Sequence, residues 1–190
     1  LKLMNICPLP DLEFENLLKN LRCAILLNIS SLKKASEDLL RFQSALALQC
    51  FTNEYIYNCT DEEEKALQTL EKTVKYTLKN NKQPRPQLIL VLASYKALYQ
   101  YNWYDFLVVT DEIKEVFTRQ IEEPDQEEQL KQDLPILKEI TDKVSSKVRE
   151  QYEESPYPRW VNLRLPLKPL SIANMFDEFK LKLRDEKIKK

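Results

Sequence analysis

Few side chains in this sequence could do chemistry, and inventory or spacing removes most of them. There is no histidine, so imidazole base catalysis, histidine-containing triads and histidine-ligated metal sites cannot form. Adjacent carboxylates recur, as in Glu122-Glu123 and Glu127-Glu128, but paired acids do acid–base work only in a cleft that shifts their pKa values. Neighbours on a helix point about 100° apart, so these pairs read as a solvated face rather than a catalytic dyad. The cysteines Cys7, Cys23, Cys50 and Cys59 match neither a zinc knuckle nor a CxxC redox pair, and they read as buried or idle thiols in a reducing cytoplasm. The rings of Tyr95, Tyr99, Tyr101, Trp103, Tyr104 and Phe106 could stack bases. Without a series of interleaved Arg and Lys they are expected instead to fill space between helices.

The one stretch specified residue by residue is Val148 to Trp160, read as Val-Arg-Glu-Gln-Tyr-Glu-Glu-Ser-Pro-Tyr-Pro-Arg-Trp. Its first half is helical and charged. Pro156 and Pro158 then disfavour helical geometry in the residues before them, so the helix should stop near Glu154. Beyond it Tyr157 and Trp160 sit on an extended, low-entropy backbone that presents aromatic faces to a neighbouring surface. Tyr152, Tyr157, Arg159 and Trp160 are the candidate functional edge. The plainer role for the same residues is mechanical, with Trp160 pinning the segment to the helical body and Arg159 pairing with a nearby Glu.

Composition narrows the partners. With 29 basic and 30 acidic residues the net charge is −1, and there is no bulk excess to neutralise nucleic-acid phosphates. Glycine is absent as well. A Walker loop or a complete dinucleotide-binding turn needs it for tight turns and close backbone approach, so neither is encoded here. At 43% hydrophobic and 31% charged the chain has the composition of a globular domain. No apolar run approaches a membrane span, and no signal-peptide pattern opens the sequence. Its start at Leu1-Lys2-Leu3 reads as an excised piece of something longer, located in the cytoplasm.

The positioning elements are helices. Asp11 should cap the first, with Phe14, Leu17, Leu18, Leu21 and Ile25 as its core face and Asn28 to Ser31 as the turn that ends it. A second is expected from Ser36 toward Asn58, deeply buried at Ala45 to Leu48. Thr60-Asp61-Glu62-Glu63 fits a capping box for a third, with the stripe Leu67, Leu70, Val74 and Leu78. The turn or linker at 80–86 carries two prolines. The apolar run Leu88 to Ala93 could be a buried strand, but its helical continuation through Tyr95, Leu98 and Tyr99 favours helix. A short helix over Asp111 to Gln120, a separate one started by Pro124, one capped by Thr141 or Asp142, and a short one capped by Ser171 through Ile172, Met175, Phe176 and Phe179 complete the set. The expected fold is all-α, an irregular helical bundle or helix-pair array of about seven to nine helices with Pro-marked turns. Residues 1–154 form the helical domain, 155–170 an extended Pro-rich connector, and 171–190 the start of a linker; the resemblance borne by the stretches quoted below implies that this linker leads into a missing catalytic domain.

Val148 to Trp160, Ala45 to Tyr55 (Ala-Leu-Ala-Leu-Gln-Cys-Phe-Thr-Asn-Glu-Tyr) and Leu165 to Ala173 (Leu-Pro-Leu-Lys-Pro-Leu-Ser-Ile-Ala) together resemble bacterial tetratricopeptide-repeat proteins that carry a class I S-adenosylmethionine-dependent methyltransferase domain. The resemblance extends over nearly the whole chain; Ser155 departs from the more usual Asn and keeps a turn-forming residue before Pro156. It implies a non-catalytic helical region between upstream repeats and the methyltransferase domain, with S-adenosylmethionine bound by the full-length protein and no cofactor in this chain. Its tasks would be joining the two parts, presenting a protein substrate, or covering the cofactor cleft with Pro156 to Trp160. No 34-residue self-similarity is convincing within it. The alternative is a free-standing adaptor that grips a peptide in a groove between helices. A third class, a carboxylate-based helical enzyme, would need buried acids facing one pocket.

Overall fold

A computed structural model describes residues 1–5, 9, 11–32, 34–133 and 142–154 of the 190-residue chain. Among them every regular element is helical and none is a strand, so the fold is all-α. The α-helices are α1 (Leu12–Asn28), α2 (Glu37–Thr52), α3 (Asp61–Lys79), α4 (Pro86–Ala93), α5 (Asp111–Phe117), α6 (Glu123–Asp133) and α7 (Lys143–Glu154). Single 3-10 turns cover Leu98–Gln100 and Tyr104–Phe106. None of the described helices is long and apolar enough to cross a membrane.

Caps set the helix starts. Asp11 accepts from the N–H of Phe14, Ser36 from that of Leu39, and Asp142 from that of Ser145, each satisfying one orphan donor of a first turn. Thr60 and Glu63 form the reciprocal box at the start of α3. At α4 the starting signal is Pro86 at the first position, whose missing N–H costs nothing there.

The core is organised around α4. Gln87 to Ala93 are all buried, and α1, α2, α3 and α5 pack against them. A helix apolar on every side is stable only when enclosed on every side. Burying Leu88, Ile89, Leu90, Val91 and Leu92 contributes on the order of 10 kcal/mol, at about 2 kcal/mol per side chain. That is an upper figure, because unfolded chains already bury part of this surface. α2 is the second layer, with Ala45 to Thr52 buried without interruption, as the sequence suggested.

Four expectations are corrected. The inner face of α1 is Leu18, Arg22 and Leu26, whereas Leu17 and Leu21 are exposed; the helix is rolled so that an arginine, not a leucine, enters the core. α2 ends at Thr52 rather than near Asn58, because the chain reverses through Glu54 and Tyr55, both at left-handed φ (57° and 56°). α4 ends at Ala93 instead of running on to Tyr99. Ser94 caps it, its hydroxyl donating to the Val91 carbonyl at 2.7 Å. Finally, α5 and α6 are not separate helices, since a π-helical turn over Thr118–Glu122 joins them. Pro124 has no N–H to offer the Gln120 carbonyl, and in a regular helix its ring would strike that carbonyl. The turn before it widens instead, and the Glu123 N–H reaches back to Thr118 O.

Buried side-chain amides tie the layers. Gln87 accepts from the Ala35 N–H and donates to Leu32 O. Gln120, fully buried, donates to Ala47 O and Ala93 O and accepts from the Leu98 N–H. The π turn presents this amide, so the widened helix sets the join between α2, α4 and the 97–100 turn.

Candidate functional site

The most charged group in the interior is Arg22, 2% exposed on the inner face of α1. Its guanidinium donates to Ser94 O at 3.4 Å, Tyr57 O at 3.2 Å and Asn58 O at 3.1 Å. The carbonyls come from the end of α4 and from the loop between α2 and α3, two places where helices stop and leave acceptors unpaired. Its carbon centre lies 4.0 Å from the Tyr95 ring centroid and 5.4 Å from that of Tyr57, so the cation is held between π-faces as well as by acceptors. One side of this arrangement opens into a cavity of about 380 Å³, lined also by Tyr55, Cys59, Glu64, Gln68, Glu71, Lys96 and Tyr101.

Glu63 supplies the counter-charge through Tyr95. The Tyr95 hydroxyl donates to its Oε1 at 2.5 Å, and the N–H and hydroxyl of Thr60 donate to Oε2 at 2.9 and 3.0 Å. Burial pushes the Glu63 carboxyl up, but the bonds from Tyr95 and Thr60 and the positive charge of Arg22 outweigh it and hold it below its ordinary range. The neighbouring groups move the other way. Burial raises Tyr57 to about 12 and Cys50 to about 12. Tyr95 is raised by burial and then by its bond to Glu63, and Tyr101 by burial and then by Glu71. The Cys23 and Cys59 thiols are raised by burial and then by Glu63.

None of these shifts brings a group toward neutrality. A general base or an activated thiol needs a pKa near the working pH, and here carboxylate, phenols and thiols are all driven away from it. The cluster is arranged to hold α1, α3 and the end of α4 together. Among the described residues, no three acidic or thiol side chains come together in a way that could hold a metal ion.

Of the residues singled out in the sequence, Tyr152 lies in α7 and is 65% exposed. Tyr157, Arg159 and Trp160 lie outside the described residues, as do the connector at 155–170 and the segment at 171–190. The aromatic run divides. Tyr101 and Trp103 are buried, their rings 4.8 Å apart, and Tyr95 and Tyr104 are half-buried. Tyr99 and Phe106 stand 39% and 68% exposed, against the expectation that these rings are core. Cys50 is a buried thiol, Cys23 a half-buried one and Cys59 an exposed one, all three free; Cys7 lies outside the described residues.

Arg22 was missed by sequence reasoning although a signal existed. Leu18, Arg22, Leu26 and Ile29 follow helical spacing as well as the competing leucine stripe does, and only charge argued against that face. Comparison with family models, with curated proteins and with solved structures finds no match to this chain.

Proposed function

We propose that this chain is a non-catalytic helical module of a bacterial, cytoplasmic, repeat-containing S-adenosylmethionine-dependent methyltransferase. It joins upstream repeats to the catalytic domain and presents a protein substrate or covers the cofactor cleft. The observation that carries this reading is the Val148–Trp160 run, with its alternating prolines and aromatics and the resemblance it bears. Two features support it. Cys50, Tyr57 and Glu63 beside Arg22 are shifted away from neutrality, which fits a scaffold, and Tyr152, at the foot of the run, is exposed where a neighbouring domain could meet it.

The test has two arms. Calorimetry of the isolated chain with S-adenosylmethionine should give no binding heat, and micromolar binding would defeat the reading. In the full-length protein, Tyr157→Ala with Trp160→Ala should abolish methyl transfer and leave the melting temperature unchanged. Equal loss of both would make the segment a docking strap only.

A second reading, the free-standing adaptor, is favoured by one observation. Leu26, Leu27 and Ile29 of the α1 end and Ala66, Leu70 and Leu88 line an open groove of about 500 Å³, of a size to take a peptide. A reading frame that continues into no glycine-rich strand–turn–helix would move the weight to it.

A further inference from the structure

A different cavity, of about 510 Å³, lies between the C-terminal end of α3 and the aromatic turn that follows α4. Lys75, Leu78 and Lys79 line one wall, because residues three and four apart share a helix face. Lys65 and Glu71 apart, the charges of α3 divide along its length. Asp61 to Glu64 fill the first turn, while Lys72, Lys75, Lys79 and, just beyond the helix, Lys82 lie toward the other end. This suits the helix dipole, and it leaves no carboxylate among the residues lining the cavity.

The opposite wall is built from Asn102, Trp103 and Phe106, and its backbone is clamped. The Gln83 side chain donates to Phe106 O at 3.0 Å and accepts from the Val108 N–H at 3.0 Å. Gln83 is itself placed by the turn that ends α3, where Asn81 adopts φ 54° and the Lys82 N–H returns to Thr77 O. Phe106 is therefore a large ring on a fixed backbone, yet 68% of it faces solvent. Trp103 beside it is 4% exposed, its indole N–H enclosed and without an acceptor among the described residues.

We infer that this cavity receives a short segment of a protein partner in which an apolar side chain is flanked by carboxylates. The apolar side chain packs on Phe106 and Leu78, a carboxylate pairs with Lys79, and the exposed carboxamides of Asn81 and Asn102 bond the peptide backbone. A nucleic-acid strand is the poorer fit. Lys75 is already paired with Glu71 at 2.7 Å, and what remains is too little positive charge to release a strand's counterions. The proposal goes beyond the methyltransferase reading and does not depend on it, since the cavity is complete within the described residues.

The probe is a blocked hexapeptide, Asp-Glu-Phe-Asp-Glu-Leu, titrated into isotope-labelled protein and followed by the indole N–H resonances, with that of Trp103 identified by its loss in Trp103→Phe. The Trp103 indole signal and the amides around Phe106 should move together and saturate with a Kd on the order of 50 μM. Lys79→Glu should weaken binding at least about tenfold and Phe106→Ala about fivefold. Both side chains are exposed, and an unchanged circular dichroism spectrum will show that the fold is intact. The inference is overturned if these signals stay still at millimolar peptide, if a peptide with Lys in place of the acids binds as well, or if the two variants bind like the parent. It is equally overturned if an oligothymidylate moves these resonances and the peptide does not.

Discussion

Replacing Arg22 by Met should destabilise the chain by about 3–4 kcal/mol, although Met fills a similar volume and is far better suited to a core. Arg22 holds three backbone carbonyls, Ser94, Tyr57 and Asn58. Deleting the donor leaves acceptors with no other partner, at about 1–1.5 kcal/mol each. Two cation–π contacts are lost as well, the one to Tyr95 at 4.0 Å being the closer, for about another 1 kcal/mol. Against this stands the desolvation cost of a buried guanidinium, which the variant is spared. Replacing a whole buried ionic network with apolar groups is often neutral, but removing one member while the others stay behind costs about 3–5 kcal/mol. Here the carbonyls and Glu63 all stay behind, so loss wins. Urea unfolding at neutral pH, followed by circular dichroism, should show a lower midpoint at unchanged slope. Leu18→Ala on the same face is the packing control, expected to cost about 3 kcal/mol. Arg22→Lys should recover less than half of the loss, because an ammonium cannot fork to carbonyls contributed by two loops. A cost below about 1 kcal/mol for Arg22→Met would show that the guanidinium is tolerated rather than required, and the account of this cluster would fail.

Two further predictions test neighbouring links. Glu63 has a lowered folded pKa, so its stabilisation is fully present above the ordinary carboxylate value and is lost as the pH falls through the folded one. Glu63→Gln should therefore cost about 2 kcal/mol at neutral pH, and its urea midpoint should converge on that of the parent as the solution is acidified; a gap independent of pH would disprove the assignment. Gln120→Leu should cost about 2 kcal/mol by stranding the Leu98 N–H and removing one of the bonds to each of the Ala47 and Ala93 carbonyls, the latter still held by the Tyr55 hydroxyl. Amide hydrogen exchange at Leu98 should accelerate in that variant, and undiminished protection would count against the Gln120 tie.

What could be read from the sequence tracks how local the cause is. The caps at Asp11, Ser36, Thr60 and Asp142 are satisfied within three residues, so nearby residue types suffice to find them. The buried runs at Ala45 to Leu48 and Leu88 to Ala93 were legible for a similar reason, since an element without a polar face has one place to go. Helix ends were less so. The end of α4 depends on Arg22, 72 positions away, taking the Ser94 carbonyl, and no window around Ser94 contains that information. Phe106 fails for a related reason. Its ring type says core, but its backbone is placed by Gln83, 23 positions earlier, and once that clamp is made the ring has no say in where it points.

The absence of glycine connects these cases. A chain with none must make its reversals with residues that pay a steric cost at positive φ, and Glu54, Tyr55 and Asn81 do so. Such turns persist only when tertiary contacts hold them. The Tyr55 hydroxyl donates to Ala93 O at 3.2 Å, Arg22 binds the chain just beyond at Tyr57 and Asn58, and the turn at Asn81 leads into the Gln83 clamp. The long polar side chains in this interior thus do at a distance what glycine does locally elsewhere. That is why a reading of hydrophobic period alone puts a leucine where Arg22 stands.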